Sequence, residues 1–112
     1  MEYLKNENCS VKLTTYLNSL SDLPVLVDSG VKEAIVSHVA LSRFGKLSSN
    51  ALNEAIDQLI ENGITPILEW DILMVGSKFE LSTNIFKDIN MDKIKSIRVQ
   101  DPGAINYILK NH

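Results

Sequence analysis

The sequence predicts an α/β fold of four βα units with a parallel sheet. Short β-branched segments alternate four times with amphipathic segments of helical period. The repeat of roughly 30 residues allows the long crossover that parallel neighbours require, and exceeds what a hairpin needs. Capping side chains and glycines stand where helices should begin and end.

Val11–Tyr16 alternates apolar and polar side chains and is predicted as the first strand. It leads into Asn18–Asp22, rich in helix-capping side chains, and Pro24 then fits the first turn of a short helix over Leu23–Asp28. Gly30 falls where the residue after that helix needs positive φ. Glu33–His38 is the second strand. The clearest helix starts at Ser48 or Ser49 and runs to Asn62, with Leu52, Ala55, Ile56, Leu59 and Ile60 on one face and Gly63 as its stop. Thr65–Trp70 is the third strand, with Pro66 near its start, where a missing N–H is tolerated. A helix over Phe79–Asn90 puts Leu81, Ile85, Phe86 and Ile89 on one side. Ser96–Val99 is the fourth strand, and Ala104–Asn111 is the last helix, with Ile105, Ile108 and Leu109 inward.

A parallel sheet is covered on both faces or closed into a barrel. A TIM (β/α)8 barrel takes about 250 residues, so the 112 residues read as a single partial-barrel domain resembling its N-terminal half, with residues 1–10 as a poorly ordered arm. An inner face drawing on Ile35, Ile67, Leu68, Ile97 and Val99 would then call for self-association or a second half-barrel segment. The other arrangement is a small open sheet of the flavodoxin kind, although no Gly-rich phosphate loop follows the first strand.

Eleven Lys plus Arg against 14 Asp plus Glu give a net charge of −3, without a basic run, so composition does not indicate nucleic acid. No apolar run approaches the roughly 18 residues of a membrane span, and the first residues lack the order of a signal peptide; a cytoplasmic protein is expected. Cys9 stands alone, which rules out an intramolecular disulfide and leaves this chain by itself without the thiolates of an iron–sulfur cluster.

Function in parallel α/β folds gathers at the carboxyl ends of the strands. The polar residues there are Asn18 and Ser19, then Ser37, His38 and Arg43, then Glu69 and Asp71, then Gln100 and Asp101. Glu69 and Asp71, two apart, share a strand face, and with His38 they are candidates for a divalent metal or an acid–base site; a solvated strand end and a structural histidine are the plainer alternative. Trp70 reads as core. Arg98, a charge in an apolar strand, calls for an ion pair with Glu69 or Asp101 or for a substrate anion. The loop Leu41–Leu47 brings two cations and a glycine, and Asp101-Pro102-Gly103 is either a turn or an anion site at a helix start.

Several of these segments resemble the N-terminal half of the collagenase-like peptidases, peptidase family U-thirty-two. The resemblance covers about Val11 to Asn111 and lies in 28-DSGVKEAIV-36, in Ser42-Arg43-Phe44 with Leu47-Ser48, in 61-ENGITPIL-68 and, most specifically, in 97-IRVQDPGA-104. It implies a TIM-type barrel and peptide hydrolysis by the complete barrel. Relatives in the family instead hydroxylate RNA bases or a ubiquinone precursor without oxygen, using a cysteine-held iron–sulfur cluster. The family's signature, a Glu-x-Phe stretch followed by Gly and clustered cysteines, has no counterpart here, so no catalytic residue and no cofactor are assigned. The residues carried over as binding candidates for a peptide or an anionic small molecule are Gln100 and Asp101, then Arg43, Glu69 and Asp71. A non-catalytic, self-associating half barrel is the third reading.

Overall fold

The computed structural model describes residues 13–43, 45–71, 80, 83–100 and 102–111. Strands β1 (Thr14–Leu17), β2 (Glu33–Ser37), β3 (Thr65–Trp70) and β4 (Ser96–Val99) form one sheet in the order β1-β2-β3-β4, and every neighbouring pair is parallel. The connections carry α1 (Leu23–Ser29) and α2 (Ser49–Glu61), and α3 (Pro102–Asn111) follows the last strand. A flavodoxin-like sheet reverses strand order at a switch point. The consecutive order seen here does not.

Register assigns each residue to a face. Tyr16, Ile35, Ile67 and Ser96 are aligned across the four strands, as are Ser37, Glu69 and Arg98 across three, and these share one face. The intervening residues Leu17, Ala34, Val36, Leu68 and Trp70 belong to a single buried cluster with Leu23 and Leu26 of α1, Leu52, Ala55, Ile56 and Leu59 of α2, and Ala104 of α3. Helices α1, α2 and α3 therefore cover the same face, as right-handed crossovers between consecutive strands require. Leu68 lies in that helix-covered core, and Ile97 and Val99 pack against it. Of the five apolar residues expected on the open face, only Ile35 and Ile67 have the right parity, because adjacent strand residues point to opposite sides.

Local chemistry explains the helix boundaries. Pro24 sits in the first turn of α1, and Gly30 closes that helix at φ 75°. Ser48 caps α2 by accepting from the N–H of Ala51 at 3.3 Å. At its other end Gly63 takes φ 73°, Gly63 N–H donates to the Ile60 carbonyl at 3.0 Å and Ile64 N–H to the Leu59 carbonyl at 2.9 Å. That pair of bonds is a Schellman ending, which satisfies carbonyls a helix would leave open and seats Ile64 in the core. Burying each of Leu52, Ile56 and Leu59 contributes about 2 kcal/mol.

Three sequence expectations need correction. Ile60 is 46 % exposed, since the stripe of α2 that meets the sheet is Leu52, Ala55, Ile56 and Leu59. On α3 the inward residues are Ala104, Tyr107 and Ile108, spaced i, i+3, i+4, so Ile105 and Leu109 are turned aside and exposed. The helix expected over Phe79–Asn90 is helical at 80 and 83–85, then tightens into the 3₁₀ turns Phe86–Asp88 and Met91–Lys93; Phe79 and Leu81 lie outside the described residues, as do Val11, Lys12 and the predicted N-terminal arm. Phe86 and Ile89 still reach the core. There Trp70, fully buried, makes edge contacts with Phe86 at 4.7 Å and Tyr107 at 5.8 Å, tying β3 to the irregular segment and to α3.

Candidate functional site

The face of the sheet opposite α1, α2 and α3 is polar at its carboxyl end. Glu69, next to last in β3, is buried and accepts hydrogen bonds on both oxygens: Tyr16 Oη donates to Oε2 at 2.8 Å, Ser42 Oγ to Oε1 at 2.8 Å, and Ser37 Oγ to Oε1 at 3.4 Å. Arg98 Nη1 stands 3.9 Å from Oε2 and donates to Tyr16 Oη at 3.2 Å. One carboxylate thus gathers side chains from all four strands and from the loop after β2. Water is replaced by three hydroxyls, which is how a buried carboxylate is tolerated.

Tyr16 starts on β1, yet its hydroxyl meets residues two and three strands away. Strands are about 4.8 Å apart, so the ring lies across the sheet over β2, where its register partner Ile35 is only 5 % exposed. The hydrogen bond to Glu69 pushes the Tyr16 phenol above its ordinary value, with smaller contributions from burial and from the negative charge of Glu69 itself. It remains a protonated donor at neutral pH.

Asp71 holds the neighbouring loop. Its N–H donates to the Leu41 carbonyl at 3.0 Å, its Oδ1 accepts from the Arg43 N–H at 2.9 Å, and its Oδ2 lies 3.8 Å from Arg43 Nε. With Ser42 on Glu69, three consecutive loop residues grip the end of β3. The loop is anchored behind by buried Leu41 and Leu47 and by a bridge from Leu47 to His38. It therefore presents Arg43 and Lys46 beside the strand ends. The resulting cleft has a volume of about 410 Å³ and is lined by Tyr16, Asn18, Arg43, Lys46, Glu69, Asp71, Arg98 and Gln100.

Four of the sequence candidates, Arg43, Glu69, Asp71 and Gln100, come together in this cleft; Asp101 lies outside the described residues. His38 does not join them. One residue beyond Ser37, it points to the opposite side, where Nδ1 accepts from the Ala40 N–H at 2.9 Å and Nε2 faces Ser49 Oγ at 2.9 Å. Nδ1 accepts, so the proton is on Nε2 and donates to Ser49; both ring nitrogens are engaged. His38, Glu69 and Asp71 accordingly form no metal site, and no cluster of three such ligands occurs among the described residues. Glu69 and Asp71 do both line the cleft, where each accepts hydrogen bonds that position the loop and lies beside a cation. Tyr16 escaped sequence reasoning: nothing in a strand pattern shows that an edge side chain will cross to the far side of its sheet.

Burial pushes the His38 imidazole below its ordinary value, against a weaker upward pull from Asp88. A histidine whose folded value is depressed stabilises the fold above its unfolded value of about 6.5, and that contribution disappears as pH falls through the folded value. Unfolding free energy measured against pH should therefore decline below neutrality more steeply in the native protein than in His38→Gln, which keeps a donor towards Ser49. Parallel curves would contradict the assigned neutral tautomer.

No family model, curated protein or solved structure matches this chain.

Proposed function

We propose that this chain is the first half of a barrel of the collagenase-like peptidase kind, and that its cleft binds the free carboxylate of a peptide. The observation that carries the reading is the charge arrangement at the strand ends. Arg43, Lys46 and Arg98 face two carboxylates, and those carboxylates stand beside Arg43 and Arg98. The Lys46 ammonium has no partner among the described residues, and neither have the side-chain amides of Asn18 and Gln100, which line the same space. An excess cation flanked by amide donors suits a carboxylate, which accepts on two oxygens. Positive charge collected in one cleft of a chain with net charge −3 is also where an anion is steered.

The consecutive parallel strands with helices on one face support the barrel reading, since that is how successive βα units of a barrel are wound. Recognition is the chemistry this half supplies. Peptide hydrolysis belongs to the completed barrel, where groups from the other half would meet the bound peptide.

Titration of a short free-acid peptide against its C-terminal amide tests the binding. The acid should bind and the amide should not, and added salt should weaken the acid. Lys46→Ala should weaken it about tenfold, the loss of one charge-assisted contact of about 1.5 kcal/mol. Equal binding of acid and amide, or an unaltered Lys46→Ala affinity, would refute the assignment.

A further inference from the structure

Given the carboxylate reading of the cleft, on which this rests, we infer that the ring of Tyr16 is the cleft's floor and selects a peptide whose last residue is aromatic. Register places the ring below the polar groups. Tyr16 is level with Ile35 and Ile67, whereas Glu69 and Arg98 stand two residues nearer the carboxyl ends of their strands, and Asn18 and Gln100 follow two residues after Tyr16 and Arg98. Two residues of strand rise about 6.6 Å. The charged and amide groups therefore form the rim, and a side chain directed inward from a carboxylate held there meets the ring.

An aromatic side chain on a sheet surface is ordinarily free to turn, but Tyr16 is fixed at its far end. Its hydroxyl donates to Glu69 Oε2 at 2.8 Å and accepts from Arg98 Nη1 at 3.2 Å. The residue is nonetheless 42 % exposed, and since its underside is turned to the buried Ile35, the accessible surface is the outer face of the ring. No other ring contacts it among the described residues; the aromatic contacts join Trp70, Phe86 and Tyr107 on the opposite side of the sheet. An apolar platform already held in place binds without the entropy cost of ordering it.

The remaining residues lining the cleft are charged or carry amides, so Tyr16 supplies its one broad apolar surface among the described residues. A volume of about 410 Å³ suits a small ligand and exceeds what a carboxylate fills. A flat ring fits this platform better than an aliphatic chain, because two rings gain from offset or edge packing beyond the area they bury. Arg98 and Lys46, which line the same space, also attract a π face.

Calorimetric titration of acetylated Gly-Gly-Ala, Gly-Gly-Leu and Gly-Gly-Phe free acids, together with the C-terminal amide of the last, tests this. The Phe acid should bind about tenfold more tightly than the Ala acid, with the Leu acid between them and the amide rejected. Tyr16→Ala should bring the three acids to one affinity, whereas a tyrosine that only shapes the cleft would on removal weaken all three in proportion. Tyr16→Phe keeps the platform and should keep the Phe acid ahead; it carries the comparison if far-UV circular dichroism shows that Tyr16→Ala has lost its fold. Three acids bound alike by the native protein, with the amide rejected, would overturn the platform and leave the carboxylate reading standing. A Leu acid as tight as the Phe acid, a proportional loss in folded Tyr16→Ala, or a Tyr16→Phe variant without preference would overturn it too. Binding of no acid, or of the amide as tightly as the acid, would remove the carboxylate reading and the aromatic preference together.

Discussion

Replacing Glu69 by Ala should lower the unfolding free energy by about 3 kcal/mol, and it should abolish carboxylate binding in the cleft. The cost comes less from the ion pair with Arg98, whose guanidinium is half exposed and whose separation is 3.9 Å, than from the hydroxyls. Ser37 and Ser42 are both 3 % exposed, and without the carboxylate their donors have lost the acceptor they share. Tyr16 would lose the bond that lays it across the sheet, and Ser42 the bond that fixes the loop bearing Arg43 and Lys46. Glu69→Gln sharpens the test at almost unchanged volume. An amide offers one acceptor where the carboxylate offers two, so its NH₂ must face either the serines or Tyr16 Oη. Tyr16 Oη already accepts from Arg98 and has one proton to donate. The amide variant should therefore lose about 2 kcal/mol. Urea midpoints for both variants within experimental error of the native protein would show that the hydroxyl network does not hold the strand ends together.

Gly45→Ala should cost about 3 kcal/mol and displace the loop that lines the cleft. A Cβ at residue 45 would stand 2.0 Å from the His38 carbonyl oxygen, 2.5 Å from its carbon and 3.0 Å from the Val39 nitrogen. These are backbone atoms and cannot swing aside as a side-chain tip would. The neighbouring bonds are what must yield: Lys46 and Leu47 N–H both donate to the Ser37 carbonyl, and Val39 N–H donates to the Leu47 carbonyl. Shifting them moves Arg43 and Lys46 away from Asp71 and Glu69, so peptide affinity should fall along with stability. Gly63→Ala is the control. Nothing lies within 4 Å of its Cβ, and its penalty is that of a left-handed helix end, about 1 kcal/mol. Thermal unfolding that ranks Gly63→Ala as the worse of the two would overturn the close-approach argument.

The element order was legible because periodicity and punctuation are local. Short strand-like runs marked Glu33–His38, observed as Glu33–Ser37, and Thr65–Trp70; the stripe Leu52, Ala55, Ile56, Leu59 and Ile60 marked α2, with Ile60 alone turned out; and Ser48 and Gly63 marked the ends of that helix. The strand-end rule then picked Arg43, Glu69, Asp71 and Gln100, all of which line the cleft. Local periodicity failed where a helix is short or irregular. On α3 both Ile105 and Ile108 fit an apolar stripe, and only the position of β4 and Trp70 selects Ala104, Tyr107 and Ile108. The stretch before β4 satisfied a helical pattern that packing broke into 3₁₀ turns.

By itself, then, the sequence determined the succession of strands and helices, the parallel sense of the sheet and the end at which polar residues gather, since these follow from spacing along the chain. The pairing of Arg98 with Glu69 was also foreseeable, as a charge in an apolar strand needs a partner; tertiary structure decided the other partners that the polar side chains meet. His38 and Ser37 are adjacent, yet pleating sends one to Ser49 and the other to Glu69. Tyr16 and Arg98 are 82 residues apart and share a hydrogen bond over Glu69. A contact between distant segments depends on how strands are ordered and how the chain curves between them, and neither quantity is written in any local pattern of residues.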